Sequence, residues 1–408
     1  MTRRLLAVLG MLIACSLGVV AAASAAGSAN PKTTTKKKAS APFLLGIEDN
    51  AQITGNTAAV LPDITTLMPD VFRFTIFWSQ VAMTKPAQAR NSDDPAYNWA
   101  PVDQVVQQMT QLNIPVLLTI RGTPKWAGGG SKGLNGPKRN LDLQSFAYAA
   151  ADRYSGQHIV GTSTTPLPKV VRWEAWNEPN LASNLLPQWK AVGTRKIAGD
   201  PFCFGKSWVQ TSPTIYRGIL NAIYRGVHSA GTSDGVTETV AGGSTAPYGG
   251  GPCASAPGVA PLAFLRALVK KPVSLDVWSH HPYRNQRQSA KPYKGDNIDI
   301  QGMPRLYAAL NKAFPGRKVL VWVTEFGAQT NPPDRFQGVS LAAQARPLKA
   351  AYTLFKKSGR VKMLVWFLVR DEDIAGRPFA QGFQTGLEYF SGKRKPSFNV
   401  FKQLAAQS

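Results

Sequence analysis

From Phe43 onward, short apolar runs alternate with longer stretches in which apolar residues recur every three to four positions. Eight runs read as strands: residues 43–48, 71–78, 115–121, 169–177, 237–243, 274–281, 318–325 and 361–369. Short runs bounded by turn residues fit buried parallel strands, and the spacing between them fits helices that cover the sheet. The helical stretches are 101–112, 141–154, 214–230, 261–269, 303–313, 341–357 and 397–404, with a weakly patterned one near 61–68. Pro101 and Pro261 suit a first helical turn, where no intrahelical N–H is needed. Eight such units close most simply into a single (β/α)8 TIM barrel over residues 43–408. A doubly wound open sheet is the alternative, but no Gly-rich dinucleotide turn follows any run.

Before the first run the pattern changes twice. Arg3 and Arg4 precede an apolar stretch over 5–20 and small residues over 21–26, the layout of an export leader (residues 1–26) and hence of a secreted protein. Leu12-Ile13-Ala14-Cys15 also resembles a lipobox, which would anchor the chain at Cys15; against it, the residues after Cys15 stay apolar. Residues 27–42 are polar, basic and of low complexity, a tether with nothing to pack into a core. No other segment reaches the ~18 apolar residues that a membrane span needs.

Charge and composition narrow the function. The 408 residues carry a formal net charge of +24, or +22 once Arg3 and Arg4 leave with the leader. The basic residues are scattered, apart from Lys36 to Lys38, and no nucleic-acid motif accompanies them, so no nucleic-acid partner is expected. A basic surface attracted to anionic cell-wall polymers or acidic glycans is the simpler reading. The 10 Trp residues are a surplus that fits a sugar-stacking groove as well as ordinary core. Cys203 and Cys253 are left once Cys15 is assigned to the leader. They form an even pair in an oxidising compartment, so a disulfide is expected, with two free thiols as the alternative. Four His without ligand spacing give no metal site, and no cofactor is expected. The barrel is expected to act as a monomer.

In a (β/α)8 barrel the working face lies at the C-terminal ends of the strands. There the sequence places Arg73; Arg121 to Trp126; Trp173 to Asn180; His280, His281 and Tyr283; Thr324 and Glu325; and Trp366 with Arg370 and Asp371. Glu178 and Glu325 stand out, because each follows an apolar strand without an obvious local charge partner. Two carboxyl groups facing each other across a sugar can cleave a glycosidic bond, one as acid and the other as nucleophile, if ~5–5.5 Å separates them. Glu174, deeper in its strand, reads as a structural ion-pair partner, and Asp371, Glu372 and Asp373 as a loop salt-bridge set. Trp173, Trp176, Trp278 and Trp322 read as core, and His158 and His228 as surface or capping residues. Residues 181–205 and Tyr248 with Gly249 to Gly251 are expected to wall the cleft, tied together by a Cys203–Cys253 bridge.

Trp173-Glu174-Ala175-Trp176-Asn177-Glu178-Pro179-Asn180 resembles the Asn-Glu-Pro element of clan A glycoside hydrolases, and Thr324-Glu325-Phe326-Gly327 resembles that clan's nucleophile strand. The resemblance covers most of residues 43–408 and is similar to glycoside hydrolase family 39 or cellulase-like family 5. It implies Glu178 as acid/base, Glu325 as nucleophile and Asn177 on the sugar 2-hydroxyl. It further implies Arg73 and Tyr283 on the nucleophile, His281 beside them (with His280 the competing choice) and Trp366 as the floor of the sugar subsite. Trp126, on a loop, is a further candidate for stacking on substrate. The activity implied is that of a retaining glycosidase acting on an oligo- or polysaccharide. A non-catalytic carbohydrate- or cell-wall-binding barrel, or a transglycosidase using the same site, is the alternative.

Overall fold

The computed structural model describes residues 42–192, 207–230, 237–284, 292–375 and 382–408. The leader, and the tether up to residue 41, lie outside the described residues. No helix among those described is long and apolar enough to cross a membrane.

Ten strands form. Eight of them, β1 (Leu44–Glu48), β2 (Val71–Phe77), β3 (Val116–Arg121), β4 (Arg172–Ala175), β7 (Thr239–Thr245), β8 (Val277–His280), β9 (Val321–Phe326) and β10 (Val361–Phe367), pair in parallel in that order and close when β10 meets β1. The expected (β/α)8 barrel is therefore the observed one. The other two, β5 (Trp189–Val192) and β6 (Ser207–Gln210), make an antiparallel hairpin where the sequence reads only as irregular loop.

The helices are α1 (Asn50–Gly55), α2 (Thr57–Leu67), α3 (Trp78–Val81), α4 (Ala100–Gln111), α5 (Asn140–Arg153), α6 (Ser212–Ala230), α7 (Pro261–Leu268), α8 (Met303–Ala313), α9 (Leu341–Ser358) and α10 (Pro396–Ala405). The weakly patterned first helix is real and longer than expected. In α2, Thr65 and Thr66 return their hydroxyls to the carbonyls of Leu61 and Pro62 at 2.8 Å. Such back-bonding residues dilute the apolar period without breaking the helix.

Alternation along the strands builds two layers inside the barrel. Val71, Leu117, Ala241, Val277, Trp322, Met363 and Val365 form a separate apolar cluster. Their outward-facing neighbours Phe72, Leu118, Val240, Trp278, Val323 and Leu364 belong to the larger core. Gly46 sits at the crowded inner layer: a Cβ there would lie 2.6 Å from Val71 Cγ1 and 3.1 Å from Val365 Cγ2. Two residues further along the strands the inward positions turn polar: Glu48, Arg73, Thr119, Glu174, Ser279 and Thr324, all buried. An apolar plug thus carries a polar ring, and the ring carries the site.

Candidate active site

Arg73, on β2, is the hub of the ring and is almost wholly buried. Its Nε donates to Glu174 Oε2 at 2.8 Å, its Nη2 to Asn177 Oδ1 at 2.8 Å, and its Nη1 to Glu48 and, at 3.2 Å, to Glu325 Oε2. Glu174 also accepts from Thr119 Oγ1 at 2.7 Å, Ser279 Oγ at 2.6 Å and Thr324 Oγ1 at 2.7 Å. Burial alone would raise its pKa. Arg73, His281 and the two hydroxyls of Ser279 and Thr324 outweigh that and hold it down at about 2. Glu48 has fewer donors. Burial pushes it up to about 7 against the pull of Arg73. Glu174 is thus the structural ion-pair partner that the sequence reading expects.

Glu178 and Glu325 stand above this ring, their side chains 17% and 13% exposed. One oxygen of each, together with His281 Nδ1, falls in a set whose members all lie within 4.8 Å of one another. Glu325 accepts from the Tyr283 hydroxyl at 2.9 Å. Burial, then the charge of Glu325, raises the Tyr283 pKa well above the usual phenol value, so this donor keeps its proton. Glu178 faces His281 Nδ1 at 3.1 Å, and His281 Nε2 faces Thr324 Oγ1 at 3.0 Å. Burial opposes charge on His281, but Glu325 and Glu178 pull its pKa up overall. The backbone that presents Glu178 is strained: Trp176 (φ 68) and Glu178 (φ 43) adopt left-handed conformations just past β4. The Glu178 N–H donates to Ser244 O at 2.7 Å, which pins this turn to the end of β7.

A cleft of about 500 Å³ opens over the pair, lined by Glu178, Glu325, Tyr248, Tyr283, Tyr293 and Phe383 among others. One amide joins two of its walls. Asn180 Nδ2 reaches the carbonyls of Ala246 (3.3 Å), Tyr248 (3.2 Å) and Val259 (3.0 Å), while its Oδ1 accepts from Ala246 N at 2.8 Å.

No family model matches the sequence, and no curated protein matches it either. Solved structures do match the fold. A glucosidase from Croceicoccus marinus superposes with a TM-score of 0.60 at 15% identity, over 90% of this chain and 67% of that one. A family 39 glycoside hydrolase from Bacteroides cellulosilyticus gives 0.59 at 18% identity, over 90% and 64%. A beta-glucosidase from Exiguobacterium marinum gives 0.54 at 13% identity, over 90% and 98%. The barrel has the fold of the clan A glycosidases. The chain spans about two thirds of the length of the first two structures.

Most of the expected residues meet at the top of the barrel: Arg73, Asn177, Glu178, His281, Tyr283 and Glu325 share the mouth. Of the two histidines, His281 faces the carboxylates, whereas His280 turns to Thr245 Oγ1 (2.9 Å) and Ile298 O (3.0 Å). Two tryptophans are not brought to the cleft. Trp366 is fully buried, its indole N–H donating to Thr385 O at 3.0 Å. It alternates with Val365, so it lies on the face of β10 turned to the helices. Trp126 is half-buried, edge-on to Trp78, and donates to Ala82 O at 2.8 Å, which fixes the loop after β3. Asp371 pairs with buried Lys395 at 2.6 Å, whereas Glu372 and Asp373 accept backbone N–H groups. His158 and His228 pair with Asp93 and Asp276. Cys203 lies outside the described residues, so the expected bridge to Cys253 is not described.

Glu178, His281 and Glu325 are also the one trio of possible metal donors among the described residues. Each is already engaged with Asn184, Thr324, Arg73 or Tyr283, and the Arg73 guanidinium beside them opposes a second cation.

His280 gives a pH test of the packing. Burial, reinforced by neighbouring His281, depresses its pKa from 6.5 to about 3 despite hydrogen bonds to Ile298 and Thr245. The folded state thus holds this ring neutral. Its contribution to stability is complete above the unfolded value of 6.5 and is lost as pH falls towards about 3, at about 1.4 kcal/mol per pH unit. In an NMR titration the His280 ring signal should stay unshifted down to about pH 4; protonation near its unfolded value would show that the ring is solvated.

Proposed function

We propose that the chain is a secreted, monomeric, retaining glycoside hydrolase that cleaves O-glycosidic bonds of an oligo- or polysaccharide, a β-glycoside, by double displacement. The observation that carries this reading is the approach of Glu178 and Glu325 oxygens to within 4.8 Å across an open cleft. That spacing suits attack by one carboxylate on the anomeric carbon and is shorter than the ~6.5–9.5 Å between the carboxyl groups of inverting sites. The clan A fold of the barrel and the glycosidase neighbours support the same reading.

In the first step Glu325 Oε attacks the anomeric carbon while Glu178 gives its proton to the departing glycosidic oxygen. The bond to the leaving group breaks and a glycosyl ester forms on Glu325. In the second step Glu178 takes a proton from water, whose oxygen attacks the same carbon and releases Glu325. Arg73 and Tyr283 hold Glu325 along its line of attack. Arg73 also fixes Asn177 Oδ1, which leaves the Asn177 amide N–H groups for the sugar 2-hydroxyl. The rings of Tyr248, Tyr293 and Phe383 offer apolar faces to sugars. The basic surface would gather anionic cell-wall polymers or acidic glycans around the enzyme.

A screen of aryl glycosides and of plant and bacterial polysaccharides, with the fresh product read by NMR, tests the reaction. The first-formed anomer should match the substrate; an inverted first product would sink double displacement. Glu178→Ala should lower kcat/KM by about 10²–10⁴-fold on poor leaving groups and far less on activated aryl glycosides, which depart without a proton. Equal losses on both would remove Glu178 as the acid.

A further inference from the structure

The two carboxyl groups are held in different ways. Glu325 accepts from a guanidinium and a phenol. Among the described residues, Glu178 makes no such contact with a permanent cation. Its Oε1 faces His281, and its Oε2 accepts from a neutral amide, Asn184 Nδ2, at 3.3 Å. Asn184 is buried in the turn that follows β4. Its carbonyl accepts the Trp176 indole N–H at 2.9 Å and its own N–H donates to Leu181 O at 3.1 Å, so its backbone is fixed from both sides. Its side-chain oxygen accepts from Arg121 Nη2, at the end of β3, at 2.7 Å.

A guanidinium has donors only. Oδ1 of Asn184 must therefore face Arg121, and Nδ2 is left to face Glu178. We propose that Arg121 and Asn184 form a positioning relay that presents Glu178 for proton transfer, with Arg121 acting through Asn184. This rests on the reading of Glu178 as the acid/base.

The physical case is one of charge placement. A cation touching a carboxylate favours its ionised form throughout the cycle. That suits a nucleophile, but it opposes a group that must hold a proton in one step and take one up in the next. An amide N–H fixes direction with a smaller electrostatic bias, and the guanidinium charge stays one side chain away. The Glu178 N–H is already tied to Ser244 O, so the side-chain torsions are the freedom that remains to be fixed.

The test assays Asn184→Ala, Arg121→Met, Arg121→Lys and the Asn184→Ala/Arg121→Met double variant on aryl glycosides of graded leaving-group acidity, beside Glu178→Ala. Asn184→Ala should lose about 10- to 100-fold in kcat on the poorest leaving groups, the range for one hydrogen bond to a charged group. It should lose little on the most activated ones, with KM nearly unchanged. Arg121→Met should show the same dependence, and adding it to Asn184→Ala should cost nothing more. Arg121→Lys keeps a donor for Oδ1 and should retain the wild-type profile. Losses uniform across leaving groups, additive losses in the double variant, or a Lys variant as impaired as the Met one would overturn the relay. If Arg121→Met does not fold, the Asn184→Ala and Arg121→Lys profiles decide. If Glu178→Ala itself shows no dependence on the leaving group, it is the acid/base assignment that fails, and the relay falls with it.

Discussion

Glu325→Ala is expected to lower turnover by about 10⁴-fold or more, the scale on which loss of a nucleophile acts, and added azide to restore part of it. The truncation opens a space the size of a small anion beside Arg73 Nη1 and the Tyr283 hydroxyl, both of which keep their places. Arg73 also keeps Glu48 and Glu174, so the fold should survive. Azide in that space attacks the anomeric carbon from the side that the carboxylate occupied, while Glu178 still protonates the leaving oxygen. One displacement replaces two, so the product is a glycosyl azide of inverted configuration. NMR of the rescued product decides the matter: full activity without azide, or a rescued product of retained configuration, would remove Glu325 from the nucleophile's role.

Arg73→Met should be the most destabilising single change in the barrel. It leaves Glu174 buried with only hydroxyl donors and Glu48 without its partner, and losing one member of a buried charge pair costs about 3–5 kcal/mol. The loss should depend on pH. Glu174 is held at about 2 against an ordinary 4.5, so its paired form contributes stability above pH 4.5 that is lost as pH falls towards about 2. Without Arg73 that contribution shrinks, so the gap between variant and wild type should be widest above pH 4.5 and narrow in acid. Urea unfolding at neutral and acid pH reads both; a gap under about 1 kcal/mol at neutral pH would mean that the ring is not held by Arg73.

The barrel was legible because eight short apolar runs alternate with stretches of helical period. Glu174 was read as a buried ion-pair partner and Arg73 as a contact of Glu325; that the two pair with each other, from inward positions of one parity, appears only when the sheet closes. Thr119, Ser279, Thr324 and Glu48 were missed as members of the ring, although each shares that parity. A polar residue two steps after an inward apolar one was the available signal. Trp366 was misplaced for the opposite reason. The pairing of β10 with β9 shifts register between Leu364 and Trp366, and a resemblance drawn from strand ends does not fix which face a residue occupies. Neighbouring Phe367 packs edge-on against Phe383, which lines the cleft. Asn184 was invisible, because its contact with Glu178 comes from a turn without a repeating pattern. The β5–β6 hairpin was read as loop because four-residue strands of mixed polarity carry no clear alternation.

The plug formed by Val71, Leu117, Ala241, Val277, Trp322, Met363 and Val365 makes the lower end of the barrel a dry stopper. Protons and sugars consequently share one doorway. Among the described residues, the water that attacks the glycosyl ester must enter by the opening through which the leaving group departs, so a slowly departing leaving group would delay the second step. Added leaving-group alcohol should then slow release of the glycosyl ester to water, a coupling that a barrel with a wet axis would escape.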